Sequence, residues 1–323
     1  MTTIGDKELI ELLAGVSRSF VLTIRALPKG LRRPIGLAYL LARTSDTIAD
    51  TATAPVDVRI QSLKEFSGSL PITHLASISP GNPAERHLLQ NIPRITAMVD
   101  TLPESDRAEI RTLLQKITEG QRLDLLRFPD PGKVSAIATA ADLDQYTYLV
   151  AGCVGEFWTR ICAAHIPRYS SLDLDVLSQL GRAFGQGLQL VNILRDIPED
   201  LNNGRCYLPI SDLRAVGISD PARLVDDPSA AQPVFDAWRR RALDHHAQAR
   251  QYIGSLRPIR IRFACLLPWA IGLRTLALLE KTPPLQTTTR IKVPRAEVRR
   301  ITRRALWAAL SNNSLERWAR DLE

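Results

Sequence analysis

In almost every long stretch of this chain, apolar side chains recur three and four residues apart, and no apolar–polar alternation runs long enough to make a strand. DKELIELLAGVSRSFVLTIRAL (6–27), PIGLAYLLARTSDTIAD (34–50) and DRAEIRTLLQKITEGQRLDLL (106–126) all show the helical period. So do LDQYTYLVAGCVGEFWTRICAAH (143–165), LDVLSQLGRAFGQGLQLVNILRDIPEDL (174–201), PVFDAWRRRALDHHAQARQYIGSL (233–256), IRFACLLPWAIGLRTLALLEK (261–281) and PRAEVRRITRRALWAALSNN (294–313). Such a pattern restricts the chain to an all-α architecture. Pro34 suits the first turn of its helix, and Pro103–Glu104–Ser105 marks another helix start. Connections rich in Gly, Pro, Ser and Thr at 67–83, 208–221 and 282–290 do not divide the chain convincingly, so one domain over residues 1–323 is expected.

The helices alternate apolar stripes with charge, and 45% hydrophobic residues suffice to fill a core. The 42 basic and 34 acidic residues leave a formal charge of +8, which favours anionic partners without choosing among them. Nucleic acid is not expected: aromatic residues are only 6% of the chain, too few for a base-stacking platform, and no zinc-finger, zipper or RNA-reading motif is present. Cys153, Cys162, Cys206 and Cys265 form no CxxC pair and read as reduced, structural thiols. The opening MTTIGDKELIELLAG carries acids where a signal peptide carries basic residues, so secretion is not expected. FACLLPWAIGLRTLALL (263–279) contains Pro268 and Arg274 and is read as too short for a bilayer span. A cytoplasmic protein is expected, with any membrane contact peripheral, through apolar or basic surface.

Two acid pairs interrupt the apolar helices. Asp46 and Asp50 stand four apart after IGLAYLLARTS; Asp196 and Asp200, with Glu199 between them, follow LQLVNILR. Residues i and i+4 share a helix face, so each pair sets two carboxylates side by side, where they repel each other. A divalent cation reverses that repulsion, and hard oxygen ligands with room for water and substrate phosphate suit Mg²⁺. Each pair alone reads more simply as a solvated helix face. Both together, with Arg43 three residues before Asp46 and Arg195 beside Asp196, point to a metal and diphosphate site. Pro198 should kink or break the second acid helix, and Asn202–Asn203–Gly204 should stop it.

Other residues fit the same chemistry less specifically. Ser17–Arg18–Ser19–Phe20 offers a guanidinium between two hydroxyls, a phosphate fork or a plain surface arginine. Gln189 and Asn192 precede Asp196 on nearly the same face, and Tyr39, Tyr146 and Tyr148 sit in apolar segments. Gly152, Gly155, Gly181, Gly185 and Gly187 suggest close helix packing or room for a bulky ligand. His245–His246 reads as surface. No dinucleotide-fold glycine motif, P-loop or nucleophile elbow is present.

SRSF (17–20), YLLARTSDTIAD (39–50), YTYLVAG (146–152) and GLQLVNILRDIPEDLNNGRCYLP (187–209), in that order, resemble the squalene/phytoene synthase family. Within it, LARTSDTIADT and RIKVPRAEVRR look most like the bacterial squalene synthases. The resemblance implies an all-α isoprenoid-synthase fold around a central active-site cavity. It implies prenyl diphosphate substrates, with Mg²⁺ held by Asp46, Asp50, Asp196 and Asp200 assisted by Asn192. Arg18 and Arg43 would match the diphosphate-binding arginines, with Ser19, Tyr39 and Gln189 close to them and Arg205 and Tyr207 in a flap after the second motif. Tyr146 would lie near the reacting carbons, and Arg290, Lys292 and Arg295 would meet the phosphates of NADPH. The implied reaction joins two farnesyl diphosphates into presqualene diphosphate and then reduces it to squalene. Phytoene, dehydrosqualene and presqualene diphosphate synthases are the near alternatives, and a non-catalytic helical scaffold the remote one.

Overall fold

The computed structural model describes residues 5–17, 20–68, 75, 77–286 and 290–322. The chain forms two compact units, Met1–Leu126 with Phe157–Pro167, and Arg127–Glu156 with Arg168–Glu323.

The first unit contains α1 (Asp6–Val16), α2 (Phe20–Ala26), α3 (Lys29–Asp50), α4 (Val56–Gly68), α5 (Pro83–Gln90), α6 (Ile92–Val99) and nearly all of α7 (Glu104–Arg127). Helix α3 is its axis and packs against α1, α4, α5 and α6. Leu31, Leu37, Leu40 and Ile48 of α3 are fully buried, each worth about 1.5–3 kcal/mol relative to exposure. Pro34 is not in the first turn as expected. The helix begins at Lys29, because buried Leu31 anchors an earlier turn, so Pro34 lies inside it and one backbone hydrogen bond is lost.

The second unit contains α8 (Ala140–Thr147), the start of α9 (Cys153–His165), α10 (Leu174–Asn202), α11 (Ile210–Ala215), α12 (Gln232–Ser255), α13 (Ile259–Lys281), α14 (Arg295–Ala308) and α15 (Asn312–Leu322). Two two-residue strands, β1 (Ser135–Ala136) and β2 (Arg205–Cys206), pair in parallel. The single helix expected over 143–165 is interrupted. A capping box between Thr139 and Asp142 starts α8, and a π-helical turn at Tyr148–Gly152 separates it from α9. Here the backbone presses directly on α10: a Cβ at Gly155 would sit 1.8 Å from the Gly181 carbonyl oxygen, and one at Gly185 would sit 2.1 Å from that of Ala151. The expected close helix packing is therefore real, and it lies beside Tyr146.

Helix α10 runs through Pro198 without the break expected there. Proline removes one hydrogen bond near the end of the helix, where only one further turn remains to be misdirected. Asn203 caps it by donating its side-chain amide to the Glu199 carbonyl at 2.9 Å, and Gly204 turns the chain at φ 75°.

Two further expectations are corrected in this unit. The apolar stretch at 263–279 belongs to a 23-residue helix, α13, long and apolar enough by composition to cross a membrane, yet more than half of its apolar window is buried inside the protein. Trp269, Leu266 and Leu276 on it are fully buried, which identifies a core helix. His246 is also not at the surface. It is 1% exposed, because α12 is packed on two sides, by α10 and α13, and Gly272 leaves room for the ring. All four cysteines are buried free thiols, as expected.

The His246 ring donates from Nδ1 to the Ala242 carbonyl at 2.8 Å, and its buried Nε2 has no partner. Burial pulls its pKa down to about 4, opposed by the Ala242 bond and reinforced by His245. The unfolded chain therefore takes up this proton first as pH falls, near 6.5. His246 contributes its full stability above that value and loses it down to about pH 4, about 3 kcal/mol in all. Urea unfolding at pH 7 and pH 4.5 should show this acid loss in the wild type and a shallower one in His246→Gln.

Candidate active site

The helical period of α3 places Tyr39, Arg43, Asp46 and Asp50 on one side, at i, i+4, i+7 and i+11, while Leu37, Leu40, Leu41 and Ile48 fill the core behind them. Asp46 is closely surrounded by protein, yet its side chain keeps 46% of its surface open, so water and cations reach it. Burial raises its carboxyl to about 7, with Asp50 acting in the same sense; Arg43 and a hydrogen bond from Gln121 oppose them. Gln121 on α7 donates to Asp46 Oδ1 at 2.5 Å. Arg43 stands 3.8 Å from Asp46 Oδ2 and donates to Glu85 Oε1 on α5 at 2.5 Å. Its Nε is buried without a hydrogen-bond partner, a donor suited to a phosphate oxygen. Arg18 and Ser19 lie outside the described residues.

In the second unit α10 repeats the arrangement. Gln189, Asn192, Asp196 and Asp200 follow one another along one side, with Asn192 donating to Gln189 Oε1 at 3.5 Å. Asp196 is half-buried and already engaged. Arg195 donates to both its oxygens at 2.9 and 2.5 Å, and Arg290 reaches Oδ1 at 2.8 Å. Burial pushes its carboxyl up, but the two arginines outweigh that and hold it below the usual carboxylate range. Arg290 also reaches Glu199 at 3.1 Å. Of the three basic residues expected to meet NADPH, then, Arg290 is placed on the second acid motif, while Lys292 and Arg295 are exposed nearby in sequence.

After the helix stop, the chain enters β2, which carries Arg205 and brings Tyr207 into the core. Tyr207 is 7% exposed and stacks on Tyr146 with ring centroids 4.9 Å apart, their hydroxyls 3.3 Å apart; Phe128 meets its edge. Asp200, Arg205 and Tyr207 line one small cleft with Ile197. Behind them burial pushes the Cys206 thiol up to about 12, so this cysteine stays protonated and is no nucleophile.

The donor set fits Mg²⁺. Each acid side offers carboxylate oxygens; burial first, and Asp50 second, raise the Asp46 carboxyl, and a cation would favour its ionised form. Among the described residues no three acidic, histidine or cysteine side chains converge into a ready metal cage. Mg²⁺ does not require one, since it keeps water and shares substrate phosphate oxygens.

Gln121 and Glu85 were missed by sequence reasoning, although Gln121 left a signal. Helix α7 buries Ile110, Leu113, Ile117, Gln121, Asp124 and Leu125 on one stripe, so a glutamine and an aspartate stand where the period calls for apolar side chains. Glu85 left none, because its role depends on α5 packing beside α3.

The fold is shared with TcSQS in complex with the ligand E5700, at a TM-score of 0.81 and 24% identity over 98% of this chain and 90% of that one. This is the expected isoprenoid-synthase fold. Within it the chain belongs to the squalene/phytoene synthase family, whose model matches residues 13–297. Its relatives include the squalene synthase of Schizosaccharomyces pombe, 27% identical over 87% of this chain and 61% of that protein. Botryococcus squalene synthase from Botryococcus braunii is 31% identical over 84% of this chain and 57% of its own length. The chain thus spans about three fifths of the length of these relatives.

Proposed function

We propose that this chain is a Mg²⁺-dependent prenyltransferase that joins two farnesyl diphosphates head to head into presqualene diphosphate and, with NADPH, carries it on to squalene. Family membership combined with two intact acid faces, Asp46–Asp50 and Asp196–Asp200, carries the reading. The two units work as one domain, and both acid faces serve the same substrate diphosphates. The likeness to bacterial squalene synthases and a cytoplasmic location with peripheral membrane contact are part of this reading.

Asp46, Asp50, Asp196 and Asp200 would hold Mg²⁺, assisted by Asn192. Bound Mg²⁺ neutralises charge building on a departing diphosphate. Arg43 offers its buried, unpartnered Nε to a phosphate oxygen while Glu85 fixes the other end of the guanidinium. Gln121 holds Asp46 in place from α7. Arg290 would exchange Asp196 and Glu199 for phosphate oxygens, with Lys292 and Arg295 as further cations for NADPH. Ionisation leaves an allylic cation that the C2–C3 double bond of the second substrate captures, and loss of a proton closes the cyclopropane. Tyr146, its ring stacked on Tyr207 and its hydroxyl beside Tyr207's, is held where an electron-rich face can steady positive charge.

Incubation with farnesyl diphosphate and Mg²⁺ tests the reading. Presqualene diphosphate should accumulate without NADPH and squalene should form with it. Another C30 product in the presence of NADPH removes the reductive step. Consumption of geranylgeranyl diphosphate alone makes the enzyme a phytoene synthase, and no turnover of either substrate leaves only a helical scaffold.

A further inference from the structure

Helix α14 faces the second unit with Ile301, Ala305 and Ala308. The side opposite, found by the helical period, carries Arg299 and Arg303, then Leu306 and Trp307, and continues to Leu310 just past the helix end. These last three are the oddity. Leu306 is 53% exposed, Trp307 72% and Leu310 56%, three large apolar side chains within one and a half turns. Scattered exposed leucines are ordinary, but a contiguous apolar tip rimmed by one sign of charge is not.

The charge is one-sided. Residues 290–308 contain seven basic residues and one acid, Glu297, which is taken up by Arg274 at 2.6 Å and Arg300 at 3.2 Å. The tip is also firmly held. Helix α15 packs behind it through Leu315, Trp318 and Ala319, with Trp318 edge-on to Trp269, and Arg262 donates to Asn312 Oδ1 at 2.8 Å at its start. Arg304 pairs with Asp321 of α15 at 3.0 Å. The surface is preformed rather than a loose end.

We propose that the outer side of α14 and the turn after it dock this protein onto an anionic lipid bilayer, with Leu306, Trp307 and Leu310 entering the headgroup layer and Arg299 and Arg303 against lipid phosphates. An exposed tryptophan between leucines suits the boundary between headgroups and acyl chains, and arginines one and two turns away suit the negative surface above it. A second copy of this chain fits worse, because a two-fold contact through the same patch would set arginine against arginine. The apolar helix α13 is not the anchor, since it is packed in the core. This deepens the peripheral location proposed above by naming the surface, and turnover plays no part in its test.

The test is co-sedimentation of the full chain with phosphatidylglycerol–phosphatidylcholine vesicles and with pure phosphatidylcholine vesicles, read alongside tryptophan fluorescence. The wild type should bind the anionic vesicles only, release at high salt, and shift its emission to the blue; Trp238, Trp269 and Trp318 are already buried. Arg299→Ala with Arg303→Ala should weaken partitioning roughly 25-fold, about fivefold for each charge. Trp307→Phe should retain most binding without the shift, and Trp307→Ala with Leu306→Ala should lose binding while melting at the wild-type temperature. Equal partitioning of wild type and variants, or none by the wild type, overturns the proposal. So does a lipid-free dimer in sedimentation that Trp307→Ala dissolves, which would give the patch to a second copy. Any of these failures leaves the prenyltransferase reading standing.

Discussion

Asp46→Asn lowers turnover by about 10²–10³-fold and leaves the helical circular dichroism spectrum and the melting temperature unchanged or slightly raised. Asparagine keeps the shape and still accepts a hydrogen bond from Gln121, 2.5 Å away, but it cannot carry the charge a cation requires. It also relieves the repulsion from Asp50 that, after burial, keeps the Asp46 carboxyl near 7. A residue whose conservative replacement costs activity but not stability is serving the site rather than the fold. The same pKa sets a pH dependence. Above 7 Asp46 is ionised and free for metal; below 7 a proton competes, so its ionised fraction falls about tenfold between pH 8 and pH 6. Mg²⁺ affinity measured by calorimetry should fall in step, and Asp46→Asn should remove that dependence.

Gly155→Ala and Gly185→Ala have the opposite signature: both should cost at least about 3 kcal/mol of stability, and activity only as a consequence. The added methyl at Gly155 would lie 1.8 Å from a backbone oxygen of α10, and that at Gly185 2.1 Å from the oxygen of Ala151. Neither neighbour is a side chain that can rotate away, so two helical segments must separate. Their separation would also disturb the π-helical turn that follows Tyr146, and with it the stacking on Tyr207. Gly254→Ala on α12 is the control. Its nearest foreign atom is 3.9 Å away, so the helix-propensity gain of up to about 1 kcal/mol should prevail. Urea unfolding of the three variants separates close approach from propensity.

What was legible in the sequence was what periodicity alone decides. Most of the long helices, the acid faces of α3 and α10 and the stop at Gly204 follow from residue spacing within one segment. The shorter α4, α5, α6 and α11 do not, and spacing leaves glycines 155 and 185 open between close packing and room for a ligand. What was not legible depends on segments far apart in the chain. His246 looks like half of a surface doublet until α10 and α13 close over α12. The pairing of Arg290 with Asp196, more than ninety positions earlier, leaves no trace in local spacing. Local propensity puts Pro34 in a first turn and a break at Pro198; buried Leu31 starts α3 earlier, and Pro198 lies too near the end of α10 to break it. The π-helical turn has no composition of its own; it arises where the backbone meets α10.

The acid faces of α3 and α10 are proposed to act on one diphosphate. The direct test is equilibrium binding of a non-ionising farnesyl thiolodiphosphate to wild type, Asp46→Asn, Asp196→Asn and the double variant, with and without Mg²⁺. A shared grip predicts Mg²⁺-dependent binding and strong coupling, with the double variant little worse than the weaker single one. Losses that simply add, or affinity indifferent to Mg²⁺, would show that the two acid faces serve separate ends.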